Sequence, residues 1–268
     1  MKNNFAPVAR SAILQNQESL PKTDALQEPL LEKNLYRHEL KYLINYGDKE
    51  LLCTKLNSLM KKDTNVLDGK YKVRSLYFDD YYHSAYEEKI QGLYARQKYR
   101  IRIYNDDDSV IRLECKIKRG SFISKKSALL TREETGWILD GKYDFLLKKE
   151  NPLFHEFYFQ CATNVMRPCV IVDYEREPYV YRAGDVRITF DTDIRSAMLN
   201  NDFFRSDLSC IYAIEYDKMV LEVKFTEFLP KIIQQVLPLR SSELVAFSKF
   251  TACLEASAAF HAISNNSI

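Results

Sequence analysis

Five segments of this chain alternate strictly between apolar and charged residues, and that alternation limits the folds open to it. In a β-strand, residues two apart share a face. Lys98, Arg100 and Arg102 lie opposite Tyr99, Ile101 and Ile103; Glu114, Lys116 and Lys118 lie opposite Leu113, Cys115 and Ile117. Glu222 and Lys224 oppose Leu221, Val223 and Phe225, and Arg187, Thr189 and Asp191 oppose Ile188 and Phe190. Arg37, Glu39 and Lys41 oppose His38, Leu40 and Tyr42. One such strand is most simply the solvated face of an open sheet. Five together put arginine and lysine, with few Ser, Thr, Gln or Asn, on one continuous surface. A closed barrel accounts for this, with its apolar side packed outward against helices and its polar side lining a tunnel. The expected class is α+β: an antiparallel β-barrel tunnel with flanking helices and a C-terminal helix.

Such a lining has definite chemistry. Arginine offers a planar fork and lysine a point charge to phosphate oxygens. The interspersed carboxylates are poor phosphate ligands but suit a divalent cation that bridges carboxylate and phosphate. The net charge of the 268 residues is only +2, so the basic surface comes from placement and not from excess. That balance, and the repulsion of a nucleic-acid backbone by Glu39, Glu114 and Glu222, argue against a nucleic-acid partner. With seven glycines and no strand–helix–strand rhythm, a P-loop or Rossmann site is not expected. The six cysteines are scattered without a Cys-x-x-Cys pair, which argues against structural zinc. His38, His83, His155 and His261 form no cluster, and no nucleophilic triad is suggested. Lacking a signal-peptide core or an apolar run of about 18 residues, the chain reads as reduced and cytoplasmic, with no membrane insertion of its own. A separate membrane partner is left open.

Along the chain, residues 1–34 read as a disordered polar tail and 35–263 as a single domain. The first strand is expected over Tyr36–Ile44, followed by a helix capped by Asp48 and ending near Lys62. Further strands are expected over Tyr71–Phe78, Gln97–Tyr104 and Val110–Lys118, with a hairpin turn at 105–108 and a short helix over Tyr82–Lys89. The Lys-Lys-Ser stretch at 125–127 reads as loop, and 131–167 as mostly helical, broken at Gly136, Gly141 and Pro152. Strands follow over Cys169–Arg176, Tyr179–Arg182, Arg187–Asp191, Ile211–Tyr216 and Met219–Phe225. A short helix begins at Pro230, and a last one runs from Glu243 to about Ile263.

At these residues the sequence resembles the catalytic domain of the vacuolar transporter chaperone (VTC) family, polyphosphate polymerases of the triphosphate tunnel superfamily. The matching stretches, in family order, are Arg-His-Glu-Leu-Lys-Tyr at 37–42, Arg-Ser-Leu-Tyr-Phe-Asp at 74–79 and Lys-Tyr-Arg-Ile-Arg-Ile-Tyr at 98–104. Leu-Glu-Cys-Lys at 113–116, Tyr-Glu-Arg at 174–176, Arg-Ile-Thr-Phe-Asp at 187–191, Leu-Glu-Val-Lys-Phe at 221–225 and Ser-Lys-Phe at 248–250 complete the set. The resemblance implies a tunnel that takes ATP and polyphosphate and transfers the γ-phosphate to a growing chain. It implies a catalytic set of Lys41, Arg74, Arg100, Arg102, Lys116 and Lys224. Lys118, Lys126, Tyr174, Arg176, Arg187, Ser248 and Lys249 would contact phosphates, and Glu222 would hold Mn²⁺ or Mg²⁺. Lys118 stands where some relatives carry histidine, and Cys115 replaces a commoner basic residue on the face turned away from the tunnel. Residue by residue, plainer readings stay open. Lys249 could be an exposed helix lysine, Arg187 and Asp191 a cross-strand pair, and Glu39 and Glu114 partners that orient lysines. Triphosphate hydrolysis and polyphosphate binding without chemistry are the competing functions.

Overall fold

The structure, a computed structural model, describes residues 36–63, 66, 69–197, 199, 203–237 and 245–265. The tail expected over 1–34 lies outside the described residues. Strand β1 (Arg37–Asn45) leads into helix α1 (Tyr46–Leu59) and the short β2 (Lys61–Lys62); β3 (Tyr71–Asp79) and helix α2 (Ser84–Ile90) follow. Strands β4 (Ala95–Tyr104), β5 (Asp107–Arg119) and β6 (Phe122–Leu130) form a meander, followed by helices α3 (Arg132–Leu139) and α4 (Pro152–Thr163). Then come β7 (Arg167–Tyr181), β8 (Val186–Ala197), β9 (Cys210–Tyr212), β10 (Lys218–Phe225), and helices α5 (Lys231–Val236) and α6 (Lys249–Asn265).

All strand pairings are antiparallel. The sheet order β7-β3-β4-β5-β6-β1-β10-β8, with β7 also paired to β8, closes a ring. The thinnest seam is between β1 and β6, which share two residue pairs. Beyond it the Val245 N–H donates to the Lys41 carbonyl (3.0 Å), so the segment ahead of α6 takes up backbone groups that the seam leaves open.

The alternating apolar residues face outward, as the barrel reading requires. On one side Leu76, Ile101, Leu113 and Cys115 pack with Ile138 of α3 and Leu153 and Phe157 of α4. On the other, Tyr42, Leu221, Val223, Ile188 and Phe190 pack with Leu52 and Leu56 of α1 and Ile233 of α5. Each such buried side chain contributes about 1.5–3 kcal/mol. Helix α6 instead goes inside. Phe250 and Cys253 pack on Val73, Tyr77, Val172, Tyr174 and Val220, all on the inner wall, and Ser257 Oγ lies 2.7 Å from Ser196 Oγ. One end of the interior is thus filled, and the helix start is delivered to the centre.

Several local expectations are corrected. Asn45, not Asp48, caps α1. Its side chain accepts from the Asp48 N–H (2.9 Å) while Asp48, at the third helical position, accepts from the Asn45 N–H, a reciprocal capping box. Residues 122–130 form a strand, not a loop, because nine paired positions with β5 outweigh a sequence without alternation. The two strands expected over 169–182 are one, running through Pro178, whose carbonyl accepts from the Asp63 N–H. Gly136 lies within α3 without breaking it, and of the strand expected over Ile211–Tyr216 only Ile211 and Tyr212 pair with β8, in a strand that begins one residue earlier at Cys210. Helix α6 begins at Lys249; Glu243 lies outside the described residues, and 245–248 are not helical.

The register also moves one catalytic candidate. On β3 it is Tyr71, Val73, Ser75 and Tyr77 that face inward, since they pair with inward Arg176, Arg102 and Arg100 on the neighbouring strands. Arg74 therefore points outward. Its guanidinium is fully buried and donates to Asp173 (3.0 and 3.1 Å) and to the Phe203 carbonyl (3.1 Å), with Asp106 at 2.8 Å. Arg74 holds the 203–205 segment against the barrel and touches no tunnel residue. Arg74→Ala leaves the buried Asp173 short of its main partner and should cost about 3–5 kcal/mol of stability. Denaturant unfolding checks this, and the folded fraction should bind tripolyphosphate as well as the parent does.

Candidate functional site

The polar half of the interior is built around four carboxylates. Glu222 of β10 is the hub: its Oε1 lies 2.8 Å from Lys249 Nζ and 3.5 Å from Lys41 Nζ, and its Oε2 lies 2.9 Å from Lys224 Nζ and 3.3 Å from the Arg176 guanidinium. Asp191 of β8 takes Arg176 in a fork (2.6 and 2.7 Å) and Lys249 at 2.5 Å. Glu39 of β1 accepts from Lys116 (2.9 Å), with Lys224 and Lys41 at 3.6 and 3.7 Å. Glu114 of β5 accepts from Arg100 (2.8 Å) and Lys125 (2.7 Å), with Arg102 at 3.8 Å. Arg100 also donates to the Tyr77 hydroxyl (2.8 Å), and Arg102 to Ser75 Oγ (3.0 Å) and the Tyr174 hydroxyl (3.3 Å).

The strands place these groups by register alone. Lys41 pairs with Glu222, Glu39 with Lys224, Arg100 with Glu114, and Arg176 with Asp191. Directly opposed residues share a face, so each pairing brings opposite charges together. Burial acts to raise the Glu222 carboxyl, yet Lys224, Lys249, Lys41 and Arg176 outweigh it and hold it well below the usual range. Glu39 and Glu114 are lowered in the same way, against burial, by Lys116 and by Arg100 respectively. Lys249 is held above the ordinary lysine value, burial notwithstanding, by Asp191 and Glu222.

Of the residues singled out from sequence, Lys41, Arg100, Arg102, Lys116, Tyr174, Arg176, Glu222, Lys224, Ser248 and Lys249 come together here. Lys118 and Arg187 share the inner face but stand toward its two ends, Arg187 beside Asp63 (3.0 Å) and the Tyr71 hydroxyl (3.3 Å). Arg74 and Lys126 are not in the site. Lys126 pairs with the outward Cys115 and reaches Glu156 of α4, while its neighbour Lys125, opposite Lys116, takes the inward position. A stretch without alternation gave no means of choosing between the two lysines. Lys98, on the inner face opposite Lys116, belongs to the same alternating stretch, and that alternation is the signal that marks it.

Comparison with known proteins now bears on this arrangement. The VTC domain matches residues 36–258. The chain belongs to the VTC domain family. No curated protein matches it. Among solved structures, the Hippeastrum protein HpAC1, described as revealing a dominant triphosphatase activity, aligns with a TM-score of 0.50 at 12% identity over 82% of this chain and 95% of its own. A candidate adenylate cyclase of Bacillus halodurans aligns at 0.45 and 11% identity, covering 75% and 86%, and the PH1819 protein of Pyrococcus horikoshii OT3 at 0.43 and 13%, covering 82% and 99%. At these identities the likeness is one of fold.

The VTC family typically works with divalent metals. Among the described residues no three His, Cys, Asp or Glu side chains converge as a ready-made metal cage. What the VTC tunnel offers is an oxygen-only pair: Glu39 and Glu222 lie on neighbouring strands and are bridged by both Lys41 and Lys224. Mg²⁺ characteristically uses one or two carboxylates and completes its shell with water and substrate phosphates. The pair fits a cation that arrives with the phosphate ligand, whose oxygens would draw the lysines off the carboxylates.

Lys98 differs from every cation at the centre of the tunnel. Among the described residues it has no carboxylate within 4 Å; its Nζ lies 4.1 Å from the centre of the Phe250 ring and 3.5 Å from Ser248 Oγ. Burial, reinforced by Lys41 of β1, Lys116 of β5, Lys89 of α2 and Arg96 of its own strand, pushes it down to about 7. The folded chain then holds fewer protons here than the unfolded chain, so Lys98 adds stability as pH rises from about 7 toward the ordinary lysine range. A phosphate ligand reverses this by favouring the ammonium form. Tripolyphosphate binding at pH 7.5 should therefore take up a fraction of a proton, measured by calorimetry in buffers of different ionisation heat, and Lys98→Met should reduce that uptake.

Proposed function

We propose that this VTC domain is an ATP-dependent, divalent-metal-dependent polyphosphate polymerase. The observation that carries the reading is the way cations continue past the paired centre. Lys41, Arg100, Arg102, Lys116, Arg176, Lys224 and Lys249 each have a carboxylate within 4 Å. Beyond them, Lys98, Arg96 and Lys118 have none among the described residues, and Arg96 donates only to the Glu88 carbonyl. A triphosphate needs the centre alone; a run of unneutralised cations beside it suits a longer phosphate chain.

In this reading the triphosphate of ATP lies along Arg100, Arg102, Arg176 and Lys249, with Tyr174 and Ser248 adding hydrogen bonds. A terminal oxygen of the acceptor chain attacks the γ-phosphorus, the bond to the β–γ bridging oxygen breaks, ADP leaves and the chain gains one phosphate. Phosphoryl transfer draws on positioning and charge stabilisation more than on covalent catalysis. Arginine forks neutralise the transferred group without reorganising, because Glu114, Ser75 and Tyr77 already hold them in place. A divalent cation held by Glu222 and Glu39 would neutralise charge shared between the phosphates. Among the described residues no helix is long and apolar enough to cross a membrane; we place the reaction in the cytoplasm.

A second reading is triphosphate hydrolysis, with water as acceptor. It is favoured by α6, which fills one end of the interior, and by the triphosphatase activity ascribed to HpAC1. Incubation with ATP and Mn²⁺ or Mg²⁺ separates the two. Polymerisation yields ADP with phosphate retained in long chains, hydrolysis yields free phosphate, and tight polyphosphate binding without ADP would leave a binding module.

A further inference from the structure

Thr189 of β8 stands in the middle of the polar wall with its hydroxyl unused. The residue is 1% exposed, and among the described residues its Oγ1 has no hydrogen-bond partner. Strand register puts it on the inner face directly opposite Glu222 of β10, in a row that continues to Lys41 of β1. We propose that the Thr189 hydroxyl is a further oxygen of the divalent-cation site at Glu222, meeting the cation or one of its coordinated waters. The assignment rests on the phosphate-tunnel reading and on the metal role of Glu222 above.

The first support is energetic. A buried hydroxyl without a partner destabilises a fold, and valine fills nearly the same shape without that penalty. The second is that the polar neighbours are committed elsewhere. Asp191, two residues along the same face, takes Arg176 and Lys249, and both oxygens of Glu222 are engaged by Lys249, Lys224 and Arg176. Arg187, two residues the other way, is held by Asp63 and the Tyr71 hydroxyl. Across on β7 stands Pro178, which has no N–H to give and whose carbonyl accepts from the Asp63 N–H. None of these groups turns to Thr189. The third is register joined to chemistry. Thr189 is directly opposed to Glu222, whereas Glu39 opposes Lys224 and is only diagonal to Glu222, and opposed side chains lie closer than diagonal ones. A hydroxyl is a hard oxygen of the kind that holds Mg²⁺ beside phosphates. Being neutral, it adds a ligand without the repulsion that a third carboxylate would set against a phosphate chain.

Thr189→Val, which removes the hydroxyl, and Thr189→Ser, which keeps it, are compared with the parent chain. Three quantities are measured: the melting temperature without ligands, the affinity for tripolyphosphate without metal, and the affinity for the Mn²⁺ complex of tripolyphosphate, with protein-bound Mn²⁺ counted after equilibrium dialysis. Thr189→Val should weaken binding of the Mn²⁺ complex about tenfold, bind metal-free tripolyphosphate within twofold of the parent, and melt no lower than the parent. Thr189→Ser should return the affinity for the Mn²⁺ complex to within about threefold. Unchanged affinity of Thr189→Val for the Mn²⁺ complex would overturn the assignment, as would a failure of serine to restore it. Equal weakening with and without metal would make the hydroxyl a phosphate contact, and a lower melting temperature or a failure to fold would make it a prop of the barrel; either result overturns the cation role. A parent chain that binds tripolyphosphate but retains no Mn²⁺ would remove the metal site and this assignment with it. A parent chain that binds no tripolyphosphate would remove the tunnel reading itself.

Discussion

Glu222→Gln should lose a hundredfold or more of divalent-dependent turnover while its affinity for tripolyphosphate in the absence of metal rises. Both effects come from one place. The Glu222 side chain is 5% exposed and lies within 3.5 Å of buried Arg176 and Lys249 and half-buried Lys41 and Lys224, so it is the main anion among four cations. On the proposed metal role, removing this carboxylate raises the barrier by several kcal/mol, and a hundredfold loss corresponds to about 2.7 kcal/mol. The same substitution leaves the four cations under-neutralised. Breaking a buried ion cluster by removing one partner costs about 3–5 kcal/mol, or a fall in melting temperature of roughly 10 °C for a domain of this size. A polyanion restores the missing charge, so the variant should gain more from tripolyphosphate in a thermal melt than the parent does. Because the carboxyl is held well below its usual range, its contribution in the parent is present above the ordinary carboxylate range. That contribution is lost only as pH falls through the depressed value. Unchanged turnover across a metal titration would remove Glu222 from the metal role, and an unchanged melt would remove it from the charge balance.

What could be seen in the sequence follows from how local each determinant is. The inner faces of β4, β5 and β10 were legible because period-two alternation is a property of the strand itself, and it placed Arg100, Arg102, Lys116, Glu222 and Lys224 together. Residues 122–130 carry no such period; their strand exists because β5 offers a partner edge, so Lys125 and Lys126 could not be told apart. Arg74 is the instructive error. Alternation applied to Tyr71–Phe78 groups Arg74 with Leu76 and Phe78, the apolar face, and only the family resemblance put it in the tunnel. An arginine on an apolar face survives there because Asp173 and Asp106 meet it from other elements, which no local pattern reveals. Resemblance alone points to Lys249, because its arrival beside Glu222 depends on α6 entering the barrel, a contact across 27 residues. The cap of α1 is ambiguous in sequence for a smaller reason: with Asn45 and Asp48 three apart, the first residue can cap and the second can complete the box.

Arg102→Ala should lower the maximal rate at least about tenfold while weakening ATP binding by less, and Arg100→Ala should show its larger effect in stability. The two arginines lie two apart on β4, yet the structure commits them differently. Arg100 is engaged on all sides, by Glu114 at 2.7 and 2.8 Å and by the Tyr77 hydroxyl at 2.8 Å. Arg102 rests on neutral hydroxyls of Ser75 and Tyr174 and is 3.8 Å from Glu114. Its guanidinium is held mainly by neutral hydroxyls, with its carboxylate partner at the edge of ion-pair range, which leaves it able to stabilise charge that develops only during transfer. One charge-assisted contact of this kind is worth roughly 1.5–3 kcal/mol, or tenfold and more in rate. Arg102→Lys keeps the charge and loses the fork, so it should recover ATP affinity better than rate. Arg100→Ala leaves Glu114, fully buried, with Lys125 as its one remaining close partner, and the resulting loss should appear first in the melting curve. Steady-state kinetics and melts on Arg100→Ala, Arg102→Ala and Arg102→Lys distinguish these forecasts. Near-parental rates in both Arg102 variants would mean that this wall of the barrel holds the fold and leaves the chemistry to the Glu222 side.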